Sequence, residues 1–466
     1  MIRPTLFVPV ENQVRELDAK LLFGCIAASR GFNVVLGYKQ LLHIAMPNFP
    51  PGIFIAKSMR AGSKLMFDII TGLGHELVAW DEESLVRYDS PEYYAWRFTP
   101  DTFNRVRHLF AWGVDDAEMF AAYPGNHGVR VHTTGNPRAD LLRPELRSYF
   151  DPECAQIRQR HGEFILVNTN FSFVNPFLKD IALVRPAGLF GRPESRTAAG
   201  MSGEFAQSMA AHQEQIFEHF RRLLPALARR FPERKIILRP HPSEDHELWR
   251  VLLGEHANVE VLHEGNVVPW LMSAAVLVHN GCTTAVEAAL VERPVVAFRP
   301  VRSASLDYAL PNALSHDASS IDEVLETVAA VLRHDLGQID AAERQRLFDR
   351  HLSASGGALA SERIVTALES LGYADTALDR PRAMPATLAR AKSALRTTIK
   401  RINMKRRDHW AGKRYNAHRF PGVTLDEINA RIARFHDVVG RFEPVRARAC
   451  GAALFSIERI NGANSG

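Results

Sequence analysis

Short apolar runs recur along this chain at the intervals that a parallel α/β sheet requires. TLFVPV at 5–10 is a β-rich run, and in the following stretch from Glu16 to Arg30, Leu17, Leu21, Leu22 and Cys25 share one helical face. FNVVLG at 32–37 then reads as a second strand, so the chain opens as a βαβ unit. HELVAWD (75–81) and HLFAWG (108–113) predict further strands ending in polar or glycine turns, which favours an open parallel sheet over an all-β fold. The Gly-Asn-Pro turn within RVHTTGNPRADLL (130–142) is a natural exit from that first sheet.

A second unit begins at EFILVNTNFSF (163–173) and continues, after a glycine-rich loop near 186–203, through a long helix over 204–230. KIILRPHPSED, VEVL, VLVHNG and PVVAF keep the same rhythm to residue 298, so two α/β sheets are expected rather than one very large one. Residues 320–348 and 357–371 predict helices, whereas ALDRPRAMPATL (377–388) carries two prolines and reads as a break or linker. Beyond it, Leu395, Ile399 and Ile402 form a narrow apolar face amid basic residues. The expected division is an N-terminal acceptor-side domain over 1–145, a nucleotide-sugar-binding domain over 146–365, and a linker with a basic helical appendage over 366–466.

Composition adds little to this fold but much to the partners. A 466-residue chain with 46% hydrophobic and 23% charged residues is built to fold, and no run reaches the length of a membrane span. The first residues turn polar too soon for a signal peptide, and the four cysteines show no metal or disulfide spacing, so a reducing, cytoplasmic setting is expected. The formal charge of +5 is unevenly placed: Arg380 to Phe420 holds thirteen Lys or Arg and one acid, Asp408. That local field predicts an anionic partner.

The stretch VLVHNGCTTAVEAAL concentrates hydrogen-bonding groups where a strand passes into a helix. In an open α/β sheet that turn lies at the ligand-binding edge, where Thr283, Thr284 and the helix-start N–H groups can hold a phosphate and Glu287 can reach ribose hydroxyls. The same residues also suit a plain N-cap followed by a solvated helix. A second polar turn, RPHPSE at 239–244, offers Arg239 and His241 to a phosphate or nucleotide edge and Ser243 as a helix cap. No GxGxxG follows the first strand, and neither GxxxxGK[ST] nor HExxH occurs. The sequence requires no metal. Asp81-Glu82-Glu83 reads as a solvated acidic turn, Asp140 as a cap on ADLL, and Cys282 as a packing residue rather than a nucleophile.

TGNPRADLL, RPHPSE and HNGCTTAVEAALVERPVVAF, in that order, resemble the GT-B glycosyltransferases. With VENQVRELDAKLL near the start, they resemble bacterial surface-polysaccharide proteins that include retaining β-Kdo transferases. The resemblance spans residues 1 to 365 and implies two facing Rossmann-like domains. It also implies transfer of a sugar, Kdo from CMP-Kdo in β linkage with retention, to a lipopolysaccharide or capsular glycan, with no further cofactor. On this pattern His241 is the nucleotide contact, Thr283 and Thr284 the phosphate contact, and Glu287 a sugar or ribose contact. Arg15, Arg138 and Arg239 are candidates by chemistry for the donor carboxylate, and Asn168 and Asn170, at the end of ILVNTN, fit either substrate contact or turn stabilisation. Glu16 first, then Glu11 and Asp18, are the carboxylates expected to act on the acceptor hydroxyl or the developing oxocarbenium centre; each also fits a helix-start capping network.

Other functions stay open at this stage. A UDP, GDP or CDP donor, glycerophosphate transfer or nucleotide-sugar epimerisation would use the same phosphate chemistry. Within 380–420, Arg396, Lys400, Arg401, Lys405, Arg406 and Arg407 would attract an anionic membrane while Leu395, Ile399 and Ile402 insert shallowly, placing a cytoplasmic enzyme beside a lipid-linked glycan. The same charge would serve nucleic-acid binding, against which stands the lack of interleaved aromatics or a recognition module.

Overall fold

The computed structural model describes residues 4–88, 91–178, 182–184, 200–373, 378, 381–405 and 412–460. Arg380, Arg406, Arg407 and Asp408 of the basic segment, and nearly all of the loop expected near 186–203, lie outside the described residues.

The first sheet contains β1 (Thr5–Val10), β2 (Asn33–Tyr38), β3 (Gly52–Ala56), β4 (Glu76–Trp80), β5 (His108–Ala111) and β6 (Arg130–Thr133), all parallel, in the order β2-β1-β3-β4-β5-β6. The second contains β7 (Phe164–Asn168), β8 (Lys235–Arg239), β9 (Val259–Val261), β10 (Val276–His279), β11 (Val295–Phe298) and β12 (His316–Ala318), ordered β12-β11-β10-β7-β8-β9. In both sheets the chain leaves the first strand on one side and later returns on the other. Such a switch point opens a crevice at the carboxyl ends of the strands. With flanking helices on both sheets, this is a two-lobed GT-B-like arrangement followed by a C-terminal helical region.

The helices that matter below are α1 (Gln13–Ser29), α2 (Gly203–Arg230), α3 (Thr283–Leu290), α4 (Ala360–Leu368), α5 (Ala383–Met404), α6 (Lys413–Arg419) and α7 (Leu425–Val439). From Glu16 to Ser29, α1 is buried on every side, although its sequence shows a single apolar face. C-terminal elements supply the extra cover: α4, α7 and the last strand all pack on it. The tie is partly polar, with Asp18 accepting from Arg431 at 2.6 Å and from Tyr149 at 3.0 Å.

Three features depart from the sequence reading. β3 was not expected; its five residues are all buried, and Gly52 is required because a Cβ there would sit 2.4 Å from the carbonyl of Thr5. Residues 320–348 form two helices, Ile321–Leu332 and Ala341–His351, parted by His334 with a left-handed φ of 63°. The expected break at 377–388 ends early, because α5 starts at Ala383 and places Pro385 in its first turn, where no intrahelical N–H bond is lost.

The 366–466 region is also not wholly helical. β13 (Val445–Gly451) and β14 (Leu454–Arg459) form an antiparallel hairpin that extends the first sheet beside β2. Phe455 and Ile457 carry it into the N-terminal core. Gly37 permits the approach, since a Cβ there would lie 2.1 Å from the Ala453 carbonyl.

Candidate functional site

The carboxyl edges of the two sheets face each other across a cleft of about 340 Å³. Its second-sheet wall is built from the ends of β7, β8 and β10, and its first-sheet wall from α1, the loop after β4 and Arg138. All the expected site residues line it except Glu11 and Asp18: Glu11 opens into a neighbouring cavity, and Asp18 faces the α7 side of α1.

The polar turn after β10 is built from the inside. His279 is fully buried; its Nδ1 accepts the Gly281 N–H at 2.8 Å, and its Nε2 meets the Ser315 hydroxyl at 2.9 Å. Burial pushes its pKa down to about 3, so the ring is neutral and serves as a turn brace. Gly281 has φ 88°, and a Cβ there would lie 3.1 Å from the Tyr308 ring. The chain then enters α3 with Cys282 as an N-cap that makes no side-chain cap, and with Cys282 Sγ 2.7 Å from Thr284 Oγ1. The first N–H groups of a helix have no intrahelical acceptor, and here this turn forms part of the cleft wall. Burial raises the Cys282 thiol pKa, the opposite of what a nucleophile needs.

The turn after β8 is held by a residue the sequence reading passed over. Glu244, fully buried, accepts from Thr169 Oγ1 (3.0 Å), Phe171 N (2.9 Å), His241 N (3.0 Å) and Trp249 Nε1 (3.0 Å), joining the ends of β7 and β8. His241 Nδ1 accepts the Ser243 N–H at 3.1 Å, so the ring proton sits on Nε2. Burial, with Arg15 adding to it, lowers the His241 pKa to about 3. This cleft-lining imidazole is thus a neutral N–H donor. Ser243 is not the helix cap; Asp245 is, accepting from Glu247 N.

The three arginines already have partners. Arg239 donates to the carbonyls of Glu264 (2.8 Å) and Gly265 (3.2 Å) and lies 4.9 Å from the Trp270 ring centre, which fixes the loop after β9. Arg15 makes a two-pronged pair with Glu83, at 2.7 and 3.1 Å. Arg138 pairs with Glu287, joining the two lobes at the cleft, so Glu287 is engaged in an ion pair. Asn170 donates its backbone N–H to Asn280 Oδ1 at 2.8 Å, which links β7 to β10.

Among the three carboxylates, Glu16 is sealed. It is 2% exposed and accepts from Glu11 N (2.8 Å), Asn12 N (3.2 Å), Lys20 (2.7 Å) and Lys57 (3.0 Å). Burial alone would raise its pKa, but Lys20 and Lys57 hold it far below the usual carboxylate range. Glu11 is shared by Lys57 (2.8 Å), Lys39 (3.1 Å) and Arg419 (2.7 Å). Glu83 is the more open carboxylate on this wall, its side chain 39% exposed. Burial opposes its ionisation, but Arg15 outweighs that and holds its pKa at about 2. Asp140 is a cap as expected, but of a distant helix: it accepts from Ala360 N (2.7 Å) and Ser361 N (2.9 Å) at the start of α4.

Asn168 is 4% exposed, lines the cleft at the end of β7, and its Oδ1 has no hydrogen-bond partner among the described residues. A buried amide oxygen is almost always satisfied, and this one is itself shielded from the cleft that its residue lines. Arg419 and His418 of α6, about 100 residues beyond the second sheet, also reach the site. Arg419 lines the cleft, while the His418 ring stacks on Phe177 at 4.9 Å and donates to the Pro242 carbonyl. Basic composition alone does not reveal that this segment returns to the cleft. Among the described residues, no three His, Cys, Asp or Glu side chains gather as a metal site.

No protein-family model and no curated protein matches this chain. Among solved structures it is similar to the wall teichoic acid polymerase TagF soaked with CDPG, at 11% identity and TM-score 0.47 over 79% of this chain and 88% of that one. It is similar to the Methanocaldococcus jannaschii UDP-GlcNAc 2-epimerase in complex with UDP-GlcNAc and UDP, at 11% identity and TM-score 0.46 over 78% and 99%. It is also similar to S. aureus MnaA with UDP, at 12% identity and TM-score 0.48 over 82% and 100%.

Proposed function

We propose that the chain is a transferase that takes a nucleotide-activated donor into the interlobe cleft. The observation that carries this reading is the joint placement of the neutral His241 N–H donor and the α3 start around one switch point. In this reading the His241 Nε2–H and the first N–H groups of α3 hold the donor phosphate and stabilise it as it departs. Glu83, rather than the sealed Glu16, takes the acceptor proton: when Arg15 turns to the donor phosphate, it leaves Glu83 unpaired and more basic. Glu16 keeps Lys57 in place.

The donor is best left at its class, a nucleoside mono- or diphosphate carrying a sugar or glycerol. A Kdo donor would bring a carboxylate, and each arginine nominated for it already holds a carboxylate or a pair of carbonyls. CMP-Kdo therefore stands as one donor to test beside CDP-glycerol and UDP sugars. Nucleotide release from these donors, with and without lipid-linked or glycan acceptors, tests the reading. Acceptor-dependent release supports transfer, whereas conversion of the free donor without an acceptor supports epimerisation.

A membrane surface is the proposed setting. α5 is placed with small residues inward, Ala386, Ala389 and Ser393, and large apolar ones outward. Leu395, Ile399 and Ile402 are 64%, 50% and 60% exposed, the reverse of core packing. Lys392 and Arg401 of the same helix, and Lys405 at its C-terminal end, lie outside the cavity that Arg396 and Lys400 line, which matches an anionic lipid surface. No helix among the described residues is long and apolar enough to cross the bilayer.

A further inference from the structure

Beside the cleft, a separate cavity of about 160 Å³ opens at the switch point of the first sheet. Its floor comes from the ends of β1 and β3, and its roof from α5 and α6. Five cations line it: Lys39, Lys57, Arg396, Lys400 and Arg419. Glu11 is the acid among its lining residues, and that one carboxylate already serves Lys39, Lys57 and Arg419. Arg396 donates to His43 Nδ1 at 3.3 Å, a neutral ring whose pKa burial holds well below its ordinary value.

Among the described residues, the five lining cations outnumber the carboxylates that meet them, Glu11 and, at Lys57, also the buried Glu16 at 3.0 Å. Burial, with Lys57 and Arg419 nearby, lowers the Lys39 pKa even though Glu11 opposes it, and burial lowers that of Arg396; at Lys57 and Arg419 burial is outweighed by Glu11, and their pKa values rise. Cations gathered this densely in a partly buried site call for an added anion. Phe54 and Phe67 form an apolar side, so the cavity is made for an anionic group carried on a carbon skeleton rather than for a bare ion.

We propose that this cavity is a second anion site, which receives a phosphate group carried by the acceptor. Arg396 and Lys400 close it from the helix whose outer face bears the apolar stripe, so a phosphate at a membrane surface would enter beneath that helix. The anion site stands on the cavity itself; its assignment to the acceptor rests on the transferase reading above.

The test is calorimetric titration of the full chain with hexyl phosphate, inorganic phosphate and a nucleotide panel, on the wild type and on Arg396→Gln/Lys400→Gln. The site predicts saturable hexyl phosphate binding that weakens at least tenfold in the double variant, while nucleotide affinity and melting temperature stay unchanged. If the double variant unfolds, Lys400→Gln alone should weaken hexyl phosphate at least threefold. Undetectable hexyl phosphate binding, or equal binding by variant and wild type, overturns the site. Equal affinity for inorganic and hexyl phosphate overturns its assignment to an acceptor-borne group. Loss of nucleotide binding in the wild type with hexyl phosphate binding intact would sink the transferase reading and leave the anion site standing.

Discussion

At the scale of single residues, the central matter is which groups are ready to meet a ligand and which are already satisfied. His241 meets it as a neutral donor, because Ser243 N–H fixes the tautomer and burial keeps the ring unprotonated to about pH 3. Nucleotide affinity from this contact should therefore stay flat between pH 5 and pH 8, whereas an imidazolium contact would tighten as pH falls; titrations across that range separate the two. Glu16 and Glu83 make the complementary pair. Glu16→Gln leaves Lys20 and Lys57 without their buried partner and should cost about 3–5 kcal/mol of stability, read by chemical denaturation. Glu83→Gln should leave the melting temperature within a few degrees while turnover falls roughly a hundredfold, in the range of a lost general base. The reverse pattern would return the proton-transfer role to Glu16. Sequence put His241, Thr283, Thr284 and Asn170 at one site because each follows a recognisable strand. It could not show that Glu16 is sealed, since burial of a helix-start carboxylate depends on Lys57, which lies past an unforeseen strand.

At the scale of elements, α5 shows why the C-terminal region was only half legible. Its basic, narrowly apolar pattern was visible in the chain, but pattern alone does not say which face turns outward. Here the small residues face the helix Lys64–Gly72, and a Cβ on Gly72 would lie 2.8 Å from Ala389. Leu395→Asp with Ile399→Asp should cut binding to vesicles rich in anionic lipid roughly tenfold or more, given about 1.5–3 kcal/mol per large apolar side chain buried. The melting temperature should hold, because both side chains are exposed. Unchanged vesicle sedimentation would refute the membrane role. The β13-β14 hairpin escaped the reading for another reason. Its exposed strand, Val445–Gly451, alternates basic and small residues, VRARACG, and resembles the basic tail around it.

At the scale of the whole molecule, the two lobes and the C-terminal region are interlocked by charge as well as by packing. Arg138 reaches Glu287 across the cleft, Arg419 comes back to Glu11, and Asp140 caps α4. The pH response follows from buried groups. His75, His241, His263 and His279 have pKa values lowered by burial to about 4, 3, 2 and 3. Each binds a proton more readily when unfolded, so its stabilisation is full above about pH 6.5 and is lost progressively as pH falls. Asp116 and Asp140, raised by burial to about 7 and 6, act in the opposite sense, favouring the fold as they are protonated. Burial also lowers the pKa values of His43, His108, His132, His161 and His246 and raises those of Asp81, Glu214 and Glu244. Nine such histidines against five such acids predict lower stability at pH 5 than at pH 7, with net proton uptake on unfolding; denaturation at both values checks it, and equal or higher stability at pH 5 would contradict it.

The most direct test of the account is calorimetric binding of CMP, CDP, UDP and GDP to the full chain and to His241→Ala. The expected result is saturable binding of at least one nucleotide, weakened roughly 10–150-fold in the variant, as loss of a hydrogen bond to a charged group worth about 1.5–3 kcal/mol implies. Folded wild-type protein that binds none of them, or a folded variant that binds as tightly as the wild type, would contradict the assignment of this cleft.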